Sequence, residues 1–550
     1  MRRRALFLAL VIAWCSLLAC SGGERGGEPE ANYSSAPGPA VDGGRIVQAT
    51  LGEPDNLIPP LSTSGSSHAV TELIYVAPLR YDKDLQLTPW AAESYQVLEE
   101  GQLLRFKLRK DIRWFDGTPL TADDVEFTYR LMTDPKTPTA YAEDFLAISS
   151  FNKTGPYSFE VRYDKPFARA LVTWAQEILP KHALEGQDLL ATPLSRAPLG
   201  AGPYKLAQWD AGDKLVLKAN QDYFLGRPHI DEVVLRVIPD LATQFLELKA
   251  GGLDMMDLTP QQYLFQTKDD FWRTNYNKYK YLSFGYTYLG FNLRRPMFQD
   301  VRVRQALSYA IDKQELVKGV LLGMGQPAMG PYKPGTWVYN DKLTPYGYHP
   351  DKAEELLDEA GWTDSDKDGV RDKNGEPFAF TILTNQGNTQ RIKTATIIQR
   401  RLADVGIKVQ VRTIEWAAFI KEFIDKGRFD AVILGWNILQ DPDLFDVWHS
   451  SKAKNGGLNF VDYENAELDK LLEEGRRTVE QSKRKKIYDQ VQEILHRDQP
   501  YVFLYVPDAL PIVQARIQNI HPAPAGIGYN FTEWWIPKQW RQRQSRQPAP

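Results

Sequence analysis

The residues best suited to grip a solute run from Gly435 to Asp443, in the order Gly-Trp-Asn-Ile-Leu-Gln-Asp-Pro-Asp. They follow an apolar run, Ala431 to Leu434, that reads as a strand, and loops after such strands are where α/β lobes place binding groups. Trp436 offers a large stiff surface, Asn437 an amide, and Asp441 and Asp443 carboxylates. The plainer reading of Asp441-Pro442-Asp443 is a turn that caps the next helix. Tyr288, Asn292 and Trp416 complete the candidate ligand-binding set. A second stretch, Asp364 to Asp372, copies the first nine positions of a calcium loop. Asp364, Asp366, Asp368 and Asp372 supply acids at positions 1, 3, 5 and 9, Gly369 the sharp turn, and Val370 a carbonyl. Position 12 is Gly375, and the glutamate comes one place late as Glu376. This loop is either a weak structural calcium site or a solvated turn, because Asp-Gly and Asn-Gly are ordinary hairpin dipeptides.

Enzyme motifs are missing. The seven histidines are scattered with no His-Glu-x-x-His, and Ser64-Gly65 lacks the preceding glycine of a nucleophile elbow. Gly200-Ala201-Gly202-Pro203-Tyr204-Lys205 fails as a phosphate loop, since Pro203 removes an N–H donor such a loop uses. The expectation is a protein that binds without catalysing and needs no organic cofactor.

The elements that must position these residues are organised around Tyr286 to Lys313. Tyr286, Tyr288 and Gly290 alternate with Thr287, Leu289 and Phe291, a strand pattern. Val303, Ala306, Leu307, Ala310 and Ile311 then fall at helical spacing behind a potential N-cap, Asp300. A strand leading directly into a helix near mid-chain suits a crossing between lobes. Helices and strands alternate from 300 to 440, as in an α/β lobe. Earlier, Leu104, Phe106 and Leu108 alternate with Arg105, Lys107 and Arg109, and Thr121 with Asp124 forms a capping-box pattern.

The wording of these segments is familiar. FN, FQD and VRVRQALSYAIDK, with LRFKLRKDIRWFDGTPLTADDVEFTYRLM, the Gly-x-Gly-Pro-Tyr turn, ANQDYFLGRPHIDEVVLRVIPD and AGGLDMMDL, closely resemble the family 5 extracellular solute-binding proteins. These are the peptide-, nickel- and oligosaccharide-capturing components of bacterial ABC importers. The resemblance implies an α/β, type II periplasmic-binding-protein fold, with two lobes on a hinge and an extra N-terminal domain (the three-domain cluster C arrangement). In peptide-binding relatives the Gly-Trp loop lines the cleft, and a carboxylate before its Asp-Pro-Asp pairs with the peptide ammonium. Here no acid precedes Asp441, so either Asp441 takes that role or the ligand has no free amine.

Composition is that of a soluble globular chain of 550 residues, 43% hydrophobic, 12% aromatic and 25% charged, which excludes wholesale disorder and calls for more than one lobe. A formal charge of −4 without a long basic run argues against nucleic-acid binding. Arg2 to Arg4 followed by apolar Ala5 to Leu18 form a signal segment. Its end, Leu17-Leu18-Ala19-Cys20, resembles the lipobox of bacterial lipoproteins, which makes Cys20 the lipidated residue. Cys15 and Cys20 are the chain's two cysteines, so the mature protein would hold no disulfide and must rely on its core.

The expected layout is a signal peptide at 1–20, a Gly/Pro-rich tether at 21–43, and a frayed tail at 541–550. Between them lie lobe I (44–80, 200–287 and 506–540), an extra domain (81–199) and lobe III (288–505), hinged at 286–292 and 503–507. The whole reads as an exported, lipid-anchored monomer at the cell envelope, periplasmic or on the outer face of the cytoplasmic membrane. It would capture peptides by lobe closure and deliver them to a permease whose ATPase is a separate chain. A nickel chelate or oligosaccharide is the alternative ligand. A surface hydrolase or folding factor is the alternative of another class.

Overall fold

The computed structural model describes residues 38–437, 441–453 and 457–541. Its central strand, Gly285–Phe291, is buried on both faces because it runs inside a seven-stranded sheet. Alternation therefore sorts side chains between two cores rather than between core and water. Leu289 and Phe291 pack with Val303, Ala306 and Leu307 of helix Val301–Ala310, while Tyr286 and Tyr288 join a separate cluster with Trp448, Tyr501 and Phe503. Asp300 caps the helix, accepting the Arg302 N–H at 2.9 Å.

This second sheet runs in the order Tyr281–Leu282, Tyr501–Ala509, Gly285–Phe291, Ala431–Asn437, Ala379–Asn385 and Lys408–Ile414, with Gly325–Pro327 also paired to Tyr501–Ala509. Its last three strands are mutually parallel. The first sheet has Arg45–Thr50 at its centre, parallel to Glu232–Val237 and to Met255–Asp257. Lys214–Ala219 and Tyr204–Asp210 extend it on one side, and Pro511–Gln514 and Tyr276–Lys278 on the other. Gly200 and Gly202 lead into this sheet where a Cβ would meet the Ile74 backbone, at 2.7 Å from its carbonyl carbon in the case of Gly202, so close packing explains that motif.

The chain crosses between sheets twice. Tyr276–Lys278 and Pro511–Gln514 pair in the first sheet, and Tyr281–Leu282 pairs with Asp508 and Ala509 in the second. The crossings thus sit at Tyr279–Lys280 and Leu510, outside the expected 286–292 and 503–507, which are interior strands of the second body.

The extra domain is a four-stranded antiparallel sheet, Ala92–Leu98, Leu103–Leu108, Ser158–Arg162 and Ser150–Gly155. Leu103–Leu108 shows the alternation expected, and Thr121 and Asp124 form a true capping box. Its Phe106, Phe159 and Trp174 belong to one continuous apolar cluster with Ile46, Leu215 and Val233 of the first sheet. The extra domain and first sheet are therefore one body by packing. The tether's last residues are not free, since Arg541 donates to the Val41 and Asp42 carbonyls and Gly43 N–H to His229. The expected signal segment and its Cys20 lie outside the described residues. No helix among the described residues is long and apolar enough to cross a membrane.

Candidate functional site

Three parallel strands of the second sheet end at one edge, and each supplies a loop. Ala379–Asn385 leads through Gly387 to Arg391, Lys408–Ile414 to Trp416, and Ala431–Asn437 carries Trp436 and Asn437. The first sheet presents its own carboxyl edge, where Arg45–Thr50 leads to Gly52 and Ser64, Glu232–Val237 to Pro239, and Met255–Asp257 ends in Asp257. The two edges face one another. Trp416 lies against Gly52 and donates from Nε1 to Ser64 Oγ at 3.4 Å. Gly387 abuts Pro239, and the Leu241 N–H reaches the Gly387 carbonyl at 3.4 Å. Carboxyl ends of parallel strands are where open α/β sheets bind ligands, and here two such edges share one space.

The charges on this seam are unevenly matched. Arg391 donates from Nη1 to Asn385 Oδ1 at 2.9 Å and has no carboxylate partner among the described residues. Burial pulls its guanidinium below its ordinary value, against the pull of Tyr505 and Tyr288. On the other body, Glu72 and Asp257 have exposed side chains, yet dehydration raises both carboxyls. Glu177, which accepts from Gln176 Nε2 at 2.7 Å, is pushed up to about 7 by burial and then by the charge of Glu72. Asp425 rises to about 6, through burial and then Asp55. None of Glu72, Glu177 or Asp257 forms an ion pair among the described residues. The second body thus carries a cation, Arg391, and the first body the acids Glu72, Glu177 and Asp257, none with an ion-pair partner among the described residues.

The family pattern described as "Bacterial extracellular solute-binding proteins, family 5 Middle" matches residues 86–457. The chain belongs to that family. It is 33% identical to the oligopeptide-binding protein AppA of Bacillus subtilis (strain 168), over 98% of this chain and 99% of that one. The solved structure of Bacillus subtilis AppA in complex with a nonapeptide superposes with a TM-score of 0.86 at 32% identity, covering 91% and 100%. NikZ from Campylobacter jejuni in complex with Ni(L-His) gives 0.82 at 28% identity, covering 89% and 99%. The mixed α/β, multi-sheet architecture is that of family 5, and these relatives are substrate-binding proteins.

In this family 5 protein the expected ligand residues separate into groups. Gly435, Trp436 and Asn437 end a strand at the chamber edge, and Trp416 joins them there. Trp436 rests on Phe460 at 6.1 Å between centroids and its Nε1 donates to Tyr501 at 3.4 Å. Tyr288 is 1% exposed and stacked on Tyr501 at 4.0 Å, so it supports the tryptophan from below. Asn292 lies elsewhere, its amide spent on the Gly427 and Phe429 carbonyls, which corrects the ligand role expected for it. Asp441 and Asp443 are corrected too. Asp441 receives both Arg484 guanidinium nitrogens at 2.7 and 2.8 Å. Burial opposes ionisation of Asp443, but Arg476 and Arg169 overcome it and hold the carboxyl below its ordinary range. Neither acid is free to meet a ligand ammonium. Ile438, Leu439 and Gln440 lie outside the described residues.

Arg391, Glu72, Glu177 and Asp257 escaped sequence reasoning. Arg391 had a local signal, a cation just after a strand in an α/β lobe, but nothing in the text tells a paired arginine from an unpaired one. At the calcium-like loop, Asp364, Asp366 and Asp368 bring carboxylate oxygens within 4.8 Å of one another, all exposed. Asp372 instead accepts from the Ser365 N–H at 2.8 Å and Oγ at 2.6 Å, and Val370 directs its N–H to Asp368.

Proposed function

We propose that this family 5 protein captures peptides with free termini in the chamber between its two bodies, closing over them as a lipoprotein at the cell envelope and passing them to an ABC permease. The observation that carries the reading is the pair of facing strand edges, which meet where Trp416 lies against Gly52 and Gly387 against Pro239, with Arg391 on one body and Glu72, Glu177 and Asp257 on the other all lacking ion-pair partners among the described residues. Ion pairs formed out of water would fix a zwitterion in register, while Trp436 and Trp416 supply apolar contact that ignores sequence. The peptide would stabilise the closed arrangement because it touches both edges. The nonapeptide in the AppA complex supports a ligand of that class. The protein binds its solute and does not turn it over.

A second reading, capture of a metal chelate, is favoured by two observations: the Asp-Pro-Asp acids are consumed by arginines, and NikZ holds Ni(L-His). Native mass spectrometry on the chain truncated after Cys20, with fragmentation of whatever denaturation releases, separates the two. A ladder of peptides of similar length is expected. A bound chelate or sugar overturns the peptide reading.

Trp436→Ala should weaken peptide binding about tenfold, close to 1.4 kcal/mol, with the cooperative melt retained. Titration calorimetry checks it, and unaltered affinity removes Trp436 from the site. For the 364–372 loop we propose weak structural calcium on Asp364, Asp366 and Asp368. Millimolar calcium should raise the melting temperature, magnesium should not, and Asp366→Asn should abolish the effect. An unchanged melt retires the ion.

A further inference from the structure

The extra domain shares its apolar core with the first sheet, and none of its side chains enters either apolar cluster around the second sheet. It meets the second body through charges instead. Within the extra domain Arg169 pairs with Asp144 at 2.7 Å, and within the second body Arg476 pairs with Asp443 at 2.7 Å. Across the seam Arg169 reaches Asp443 at 3.3 Å and Arg476 reaches Asp144 at 3.2 Å. The four side chains make a closed ring of alternating charge, each residue 9% exposed or less. Arg169 also lies 3.4 Å from Asp441, Lys452 crosses to Glu143 at 2.5 Å, and the Ala168 N–H donates to the Arg476 carbonyl at 2.7 Å.

Two properties make this ring different from a static ion pair. Each half is neutral by itself, so parting the bodies strands no lone charge, and a buried charge left without a partner is the costly outcome. Its Asp443 also accepts the Phe445 N–H at 3.1 Å and donates its own N–H to Asp441 at 3.0 Å, so the ring holds the turn that enters helix Phe445–Trp448. We infer that Asp144 and Arg169 are positioning residues: the extra domain uses them to latch the opposite body closed and so sets how long the solute is retained. This rests on the closure reading above.

The test uses the chain truncated after Cys20, which has no cysteine of its own. Val97→Cys on the extra domain and Val479→Cys on the second body, 50% and 58% exposed, carry spin labels across the seam. The double variant Asp144→Asn/Arg169→Gln deletes both crossing pairs while keeping each body neutral. The swap Asp144→Arg/Arg169→Asp keeps a pair within the extra domain but sets like charges against Asp443 and Arg476. Without added ligand, both should move the label-to-label distribution to longer distances, the swap further. Loss of a nonapeptide library, followed by native mass spectrometry, should be at least about tenfold faster in the double variant. Wild-type distances and dissociation in both variants overturn the inference. Should wild type retain no nonapeptide, the binding reading fails and the ligand-free distances still decide the latch. If the ring variants do not fold, Glu143→Gln, which removes only the Lys452 crossing pair, must still lengthen the distances, and unchanged ones overturn the latch.

Discussion

Gly387→Ala should weaken peptide capture roughly a hundredfold, about 2.8 kcal/mol, while each body keeps its fold. The added Cβ would land on the Pro239 carbonyl, 2.5 Å from its carbon and 3.0 Å from Asp240 Cα. Both are backbone atoms of the other body, which cannot swing aside as a long side chain would. The residue also sits at φ +78°, where any side chain costs about 1 kcal/mol relative to glycine. That strain acts within one loop, whereas the clash acts only when the two bodies meet. Parting the seam relieves it, so the variant should populate an open form. Calorimetric titration with a nonapeptide measures the loss, and small-angle scattering should report a larger radius of gyration. Wild-type affinity in Gly387→Ala would mean that this approach is not part of the binding-competent state.

Leu307→Asp should leave no cooperative melt at all. Leu307 is 0% exposed in helix Val301–Ala310, packed in the cluster that holds Leu289, Phe291 and Ile433 of the second sheet. The substitution removes an apolar side chain worth about 2 kcal/mol of burial and introduces a carboxylate that must remain charged without a partner or take up a proton. Together these exceed about 4 kcal/mol, a large share of the 5–15 kcal/mol that holds a domain together. Circular dichroism during heating checks the result. A melt within a few degrees of wild type would show that the helix repacks. The contrast with Trp436→Ala is informative, since that ring is partly exposed at the chamber edge and its loss should cost binding rather than folding.

Much of this molecule was legible in local text. The strand-to-helix change of period at 286–311, the Asp300 cap and the Thr121/Asp124 capping box depend on neighbours within a few residues, and the structure repeats them. Family membership was legible too, because five separated signatures are carried as wording. The Gly-Trp segment, read as a loop after a strand ending at Leu434, instead continues that strand to Asn437. The errors over ligand residues share one cause. Asp441 and Asp443 read as ligand acids because sequence displays a charge and hides its partner, and their arginines come from residues 169, 476 and 484. Asn292 looked available for the same reason, although its amide is committed to carbonyls at 427 and 429.

Element types, caps and family follow from the order of residues alone, since periodicity and capping are short-range. Which charges remain unmatched was decided only by tertiary structure. Among the described residues Arg391 has no carboxylate partner and Arg484 has one, because the packing of two sheets and an extra domain brings Asp441 within 3 Å of Arg484 and only the Asn385 amide to Arg391. Dehydration and pairing are properties of the space around a side chain, and that space is made by residues hundreds of positions away.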